Sequence, residues 1–118
     1  MSSFTLAEST DQVVAAWETE GQVYFARIEK ATSRRGPPIA APGTAKGRKH
    51  PVVASNQKGE TILAWTEGMG WNRGGSHAWQ VFDKSGKPTG AKGQAKGVPT
   101  WSLVAVFARP DGSFSIMY

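Results

Sequence analysis

The chain has 118 residues, enough for a single domain spanning 1–118, and 39% of them are apolar, so a packed core can form. Fourteen Gly and seven Pro argue against long helices, and the absence of Cys excludes disulfides and thiolate chemistry. No run approaches the roughly 18 apolar residues of a membrane span, and the first residues lack the pattern of a secretory signal. The sequence therefore predicts a soluble chain and indicates no particular compartment.

The charge balance is basic, with 14 Lys and Arg against nine Asp and Glu, a net charge of +5. Such an excess favours acidic partners: anionic polysaccharide, a lipid surface or nucleic acid. The densest cluster is only Lys46, Arg48 and Lys49, and no run of five or six basic residues marks a nucleic-acid tail. A nucleic-acid strand stacked on Trp side chains is therefore the weaker alternative.

An internal repeat organises the chain, and its copies match in one order along the sequence. The matched segments are Val14–Trp17 with Ile62–Trp65 and Phe4–Leu6 with Val52–Ala54, both at an offset of 48 residues, and Phe25 with Trp79 at an offset of 54. A first unit is predicted at residues 2–49 and a second at 50–98.

A third, incomplete copy is predicted at residues 99–118. Val104-Ala105 repeats Val53-Ala54, Gly112 repeats Gly59, and on that register Tyr118 takes the position of Trp17 and Trp65. The aromatic residues that share a repeat position are predicted to pack between units. They are Trp17, Trp65 and Tyr118 at one position, and Phe25 and Trp79 at another.

Each complete unit reads as four short strands broken by turns. In the second unit the predicted strands are Val52–Ser55, Thr61–Trp65, Ala78–Phe82 and a weak fourth near Pro88–Ala91. Asn and Gly in residues 55–59 and Asp and Gly in residues 83–87 predict turns. Pro88 fits an edge strand because it cannot donate a ladder hydrogen bond.

Four short strands at a period of about 40–50 residues are typical of a β-propeller blade. The residues His50–Ala54, Gly59 and Ala64-Trp65 resemble the units of the sialidase-like (BNR or Asp-box) propellers, and residues 82–89 keep the turn of the Asp-box. The resemblance implies an all-β chain of about 2.5 blades of four antiparallel strands, similar to the carboxy-terminal part of such a propeller.

Two and a half blades cannot close a ring, since propellers typically have about 4–8 blades. Unclosed end units would expose apolar surface and unpaired strand edges. We therefore expect either a piece of a longer propeller or a ring completed by oligomerisation. A homodimer is favoured because two copies would supply the strands of five blades, while trimers and other rings remain open.

A ligand site is predicted where the two complete units differ most, at the inserted residues 69–75. In a propeller this loop lies on the same face as the loops that follow each fourth strand. An aromatic ring can stack on a sugar, and Arg can hold a carboxylate or sulfate, so a glycan or small anion is the expected ligand. The candidate residues are Trp71, Asn72, Arg73, Arg48, His50 and Trp101. The alternative is that Trp71 covers the core and Arg73 is solvated.

Enzymatic interpretations are disfavoured. Resemblance to a sialidase would require converging arginines, but Arg27, Arg48, Arg73 and Arg109 fall at different strand and loop positions. The aspartates lie in predicted turns, and the equivalent Glu20 and Glu67 are interpreted as flanking turns rather than as a catalytic pair.

Two histidines without suitably spaced acids predict neither a metal site nor a cofactor. The first functional hypothesis is a non-catalytic, self-assembling, lectin-like module. The alternatives are a purely structural or engineered assembly without a ligand, and a degenerate sialidase-like hydrolase piece.

Overall fold

The computed structural model describes residues 4–9, 11–70 and 72–118. These residues form ten β-strands and contain no helix, and so none that is long and apolar enough to cross a membrane. The strands are β1 (Phe4–Glu8), β2 (Gln12–Thr19), β3 (Gln22–Glu29), β4 (Ile39–Ala40), β5 (Arg48–Ser55), β6 (Thr61–Glu67), β7 (Gly75–Phe82), β8 (Pro88–Val98), β9 (Ala105–Ala108) and β10 (Phe114–Met117).

The strands form three antiparallel sheets in which each strand pairs with the next one in the chain. Sheet 1 has the order β1-β2-β3-β4, sheet 2 has the order β5-β6-β7-β8, and sheet 3 contains β9 and β10. The all-β prediction is confirmed. The predicted fourth strand of the second unit was too short, because β8 pairs with β7 along residues 88–98 rather than near 88–91 only.

Short polar turns connect the strands. The Asn56 carboxamide oxygen accepts hydrogen bonds from the backbone amides of Lys58 and Glu60, each at 3.0 Å. Asp83 Oδ1 accepts the amides of Ser85 and Lys87 at 2.9 and 3.0 Å. These bonds lower the pKa of Asp83, chiefly through the Ser85 hydroxyl, and confirm that the carboxylate forms a turn.

Sheet 2 lies between the other two sheets, and its two faces carry the core. One face packs on sheet 1 through Phe82, whose ring lies 4.7 Å from that of Phe25. The other face packs on sheet 3 through Ile62 and Ala64, which join clusters that contain Val106 and Ile116. Alternate residues of β6 thus face opposite sheets, as the two-residue period of a strand requires.

The repeat register differs from the predicted one in β1. Leu6 pairs with Ala15, as Val53 pairs with Leu63, so Leu6 corresponds to Val53 and the offset in this strand is 47 rather than 48. The physical reason is the turn between the first two strands, which is one residue shorter in the first unit. A one-residue slip reverses the faces of a strand, so Leu6 points away from sheet 2.

The register of the third unit also differs from the prediction. Val106 pairs with Ile116, as Val53 pairs with Leu63, so the offset is 53 residues and Val106, rather than Val104, corresponds to Val53. The turn between the two strands has the same length in both units. The same offset keeps Tyr118 at the position of Trp65.

Candidate functional site

One candidate site is a concavity on the loop face, the end of the sheets where the loops after β6 and β8 meet the start of β5. Its volume is about 350 Å³, and it is lined by Lys49, His50, Met69, Gly70, Trp101, Ser102 and Leu103. Trp101 is 69% exposed and Leu103 is 60% exposed. The lining combines an aromatic ring and aliphatic surface with basic side chains.

The structure brings two of the six predicted ligand residues, His50 and Trp101, to this concavity. Trp71 lies outside the described residues. Asn72 and Arg73 are exposed on the neighbouring loop, and the Arg73 Nε donates to the Gly68 carbonyl at 3.1 Å. Arg73 therefore closes its own loop in this structure rather than lining the concavity.

The loop face concentrates unusual backbone conformations. Five described residues other than Gly have positive φ, and three of them are His50 (52°), Asn72 (55°) and Trp101 (66°). A side chain in this region of φ is strained, and such strain persists where surrounding contacts hold it. One such contact joins the His50 amide to the Glu18 carboxylate at 2.7 Å.

Arg48, the remaining predicted ligand residue, is buried between sheets 1 and 2 with 3% of its surface exposed. Its guanidinium donates to the carbonyl oxygens of Ala41 at 2.9 Å and Pro42 at 2.6 Å, and to Gln22 Oε1 at 3.0 Å. Its Nε lies 3.5 Å from the Glu67 carboxylate. These contacts engage the guanidinium with the fold, and Arg48 does not line the loop-face concavity, so its role as a ligand residue stays a prediction.

The aromatic residues at shared repeat positions occupy different environments. Phe25 is fully buried, and Trp65 is 3% exposed with its indole N–H bonded to Glu67 at 2.8 Å. Tyr118, by contrast, is 54% exposed and contacts the His77 ring at 4.1 Å. Trp17 stacks on Tyr24 at 5.9 Å, and Trp79 is partly buried.

A second candidate site consists of the two end faces of the stacked sheets. The leading face is the side of sheet 1 that points away from sheet 2, and cross-strand pairing places residues of β1, β2 and β3 on it. Among them are Leu6, Ala15, Trp17, Tyr24, Ala26 and Ile28. The same repeat positions in sheet 2 carry Val53, Leu63, Trp65, Ala78, Gln80 and Phe82, all of which are buried.

The trailing face is the side of sheet 3 that points away from sheet 2. It carries Ala105, Phe107, Ser115 and Met117, of which Phe107 is 46% and Met117 60% exposed. Sequence reasoning named neither Leu6 nor Phe107 as a residue of a functional site. The alternation of Phe4 and Leu6 with small or polar residues was the available signal on the leading side.

The four arginines considered for a sialidase-like site have separate partners. Arg27 donates to the carbonyl oxygens of Asp83 and Lys84 at 2.7 and 2.6 Å, and Arg109 donates to Ser115 Oγ at 2.6 Å. Arg48 and Arg73 make the contacts given above. In the part of the chain that the structure describes, no three His, Asp or Glu side chains are grouped to hold a metal ion.

Comparisons of this chain with protein-family profiles, with curated proteins and with solved structures found no match.

Proposed function

We propose that the chain is a non-catalytic assembly module whose leading face packs on the trailing face of another copy, so that propeller-type blades close into a ring. The observation that carries the proposal concerns one repeat position. Trp65 is buried where sheet 2 packs on sheet 1, whereas Trp17 holds the same position on the leading face, which no further sheet covers among the described residues.

The pairing is proposed to be head to tail because the two end faces are different. In the repeat, the leading face corresponds to the side of sheet 2 that packs on a preceding sheet, and the trailing face to the side that packs on a following one. Unlike faces pair in heterologous contacts, which form rings when the rotation closes. Exposed apolar side chains on both faces, including Leu6 at 59% and Met117 at 60%, support such burial.

The number of stacked sheets in each chain favours a ring of six blade positions. Each chain contributes three stacked positions, two of them four-stranded sheets and one a two-stranded sheet. Two chains joined head to tail therefore supply six positions, within the range of about 4–8 blades typical of propellers. The strand count in the sequence favoured five blades for the same dimer, and molar mass alone does not separate these two rings.

The test is the molar mass in solution by light scattering, using the variants Leu6→Glu and Phe107→Glu. The wild-type chain is expected near twice 12.6 kDa. Each variant alone should be monomeric, because a charge blocks one of its two faces. An equimolar mixture should form dimers, because the intact trailing face of one variant meets the intact leading face of the other.

Two controls make this test decisive. Ala31→Glu adds the same charge in an exposed turn and should keep the wild-type mass. Circular dichroism checks that each variant retains its strands. A folded wild-type monomer at every concentration would contradict the assembly proposal, and dimers of each single variant would contradict its head-to-tail form.

A second candidate function is binding of glycans or small anions at the loop-face concavity. The observation that favours it is the exposed Trp101 ring beside Lys49 and His50. An aromatic ring can stack on the apolar face of a sugar, and basic side chains attract a carboxylate or sulfate.

Titration with sialylated and sulfated oligosaccharides tests this second candidate. Trp101→Ala should lose binding and keep the wild-type molar mass, while Arg34→Ala, an exposed control away from the loop face, should bind normally. Equal binding by all variants would contradict the site. Hydrolysis of a fluorogenic sialoside would instead support the hydrolase alternative.

A further inference from the structure

The outer edge of β10 differs from the corresponding edges in the other sheets. The second strand of sheet 1, β2, pairs with β1 and β3, and the second strand of sheet 2, β6, pairs with β5 and β7. Among the described residues, β10 pairs with β9 alone. The backbone N–H and C=O groups along its other edge therefore form a template for a further strand.

A groove lies beside this edge, between sheet 3 and strands β6, β7 and β8 of sheet 2. Its volume is about 480 Å³. The apolar side chains that line it are Ile62, Trp79, Val81, Ala91, Phe114 and Ile116. A strand that paired with β10 in the manner of β7 with β6 would lie over this groove.

The repeat indicates what the groove lacks. Phe25 of β3 and Trp79 of β7 pair with the equivalent residues Ala16 and Ala64, so they hold the same position in their sheets. Phe25 is fully buried because Phe82, on the third strand of the next sheet, packs on it at 4.7 Å. Trp79 is only partly buried, since sheet 3 has no third strand in the described residues.

We propose that β10 and this groove bind an extended peptide strand, antiparallel to β10, that carries apolar side chains at alternate positions. The pairing of β6 with β7 sets the register, because Thr61 and Leu63 correspond to Phe114 and Ile116. Peptide residues opposite Phe114 and Ile116 face sheet 2, and the one opposite Phe114 covers Trp79. Ladder hydrogen bonds provide affinity, and the groove selects the apolar side chains.

This proposal does not depend on head-to-tail assembly, since a third strand pairs with an edge whereas the assembly uses a face. The test uses a fluorescein-labelled peptide with the sequence of residues 22–29, QVYFARIE, because β3 is a third strand of this repeat. In the proposed register its isoleucine, the counterpart of Ile28, lies opposite Phe114. Fluorescence anisotropy should report saturable binding to the full chain.

Two pairs of matched variants make the test specific. In the peptide, Pro in place of Ala26 removes a backbone N–H and should abolish binding, while Ser at that position keeps the N–H and should bind. In the chain, Ala91→Arg fills the groove and should weaken binding by about tenfold or more. Gly90→Arg, one residue away and with open space around its Cβ, should bind within about twofold of wild type.

Three outcomes would overturn the proposal: no saturable binding by the wild-type chain, equal binding of the Pro and Ser peptides, or equal binding by the two Arg variants. Sedimentation of the same samples identifies a competing occupant. If Ala91→Arg dissociates an oligomer and leaves peptide binding unchanged, a second copy occupies the groove and the peptide proposal is wrong.

Discussion

Replacing Arg48 tests whether its buried contacts hold sheets 1 and 2 together. Arg48→Ala would leave the carbonyl oxygens of Ala41 and Pro42 without their donor and the nearby Glu67 carboxylate without its counter-charge. Breaking a buried ion pair by removing one partner typically costs about 3–5 kcal/mol. Since a domain has about 5–15 kcal/mol of stability in total, a large part of it should be lost.

Arg48→Lys gives a graded second measurement in case the Ala variant does not fold. Lys keeps the charge near Glu67 but lacks the planar fork that reaches two carbonyl oxygens at once. Loss of one charged hydrogen bond costs about 1.5–3 kcal/mol, so the Lys variant should be intermediate in stability.

Urea unfolding followed by circular dichroism measures these free energies, at one fixed protein concentration because self-association shifts apparent stability. Arg73→Ala is the control, since Arg73 is exposed, and its cost should stay below about 0.5 kcal/mol. A cost below about 1 kcal/mol for Arg48→Ala would refute the structural role assigned to this side chain.

Three further predictions concern packing and pH. Burial lowers the pKa of His77, so the folded state binds fewer protons than the unfolded state as the pH falls. The contribution of His77 to the free energy of unfolding should therefore be constant above about pH 6.5 and should decrease as the pH drops below it. His77→Phe should flatten this pH dependence in thermal melts. A Cβ at Gly93 would collide with the Trp79 ring, so Gly93→Ala should cost about 1–3 kcal/mol in urea unfolding, whereas Gly90→Ala should change little. Phe25→Ala should cost about 3–5 kcal/mol, because it removes a fully buried ring from the core between sheets 1 and 2.

Each of these predictions has an outcome that contradicts it. Equal pH profiles for wild type and His77→Phe would show that another group controls the loss of stability at low pH. Equal stabilities of the Gly93 and Gly90 variants would mean that the Trp79 ring moves without cost. A Phe25→Ala loss below about 1 kcal/mol would place the main core elsewhere.

Local patterns in the sequence predicted the strands and turns of the second unit well. Alternating or continuous apolar residues marked β5, β6 and β7, and the turns at Asn56 and Asp83 form through their own side chains. Both signals are short-range, so they are visible without knowledge of the fold. The length of β8 was missed because its Gly, Ala and Lys residues have low β-propensity, and pairing with β7 determines the strand.

The length of the turn between β1 and β2 determines which face of sheet 1 carries Leu6, and repeat matching did not predict it. A loop shorter by one residue moved Leu6 to the outer face of sheet 1, and a sequence alignment that allows no gap there assigns the opposite face. The position of Trp71 in the predicted ligand site stays a prediction, since this residue lies outside the described part of the chain. His50 and Trp101 line one concavity, and their role in binding a ligand also stays a prediction.

The sequence by itself determined the all-β class and the turns between strands, because these depend on neighbours a few residues apart, and the internal repeat indicated the grouping of the strands into four, four and two. The tertiary structure determined the burial and the contacts of each side chain. In the sequence, Arg48 belongs to a basic cluster that was predicted to be a loop, but the packing of sheet 1 on sheet 2 buries its guanidinium against carbonyl oxygens. Only the stacking of sheets revealed the leading and trailing faces and the free edge of β10, because burial and strand pairing join residues that are distant in the chain.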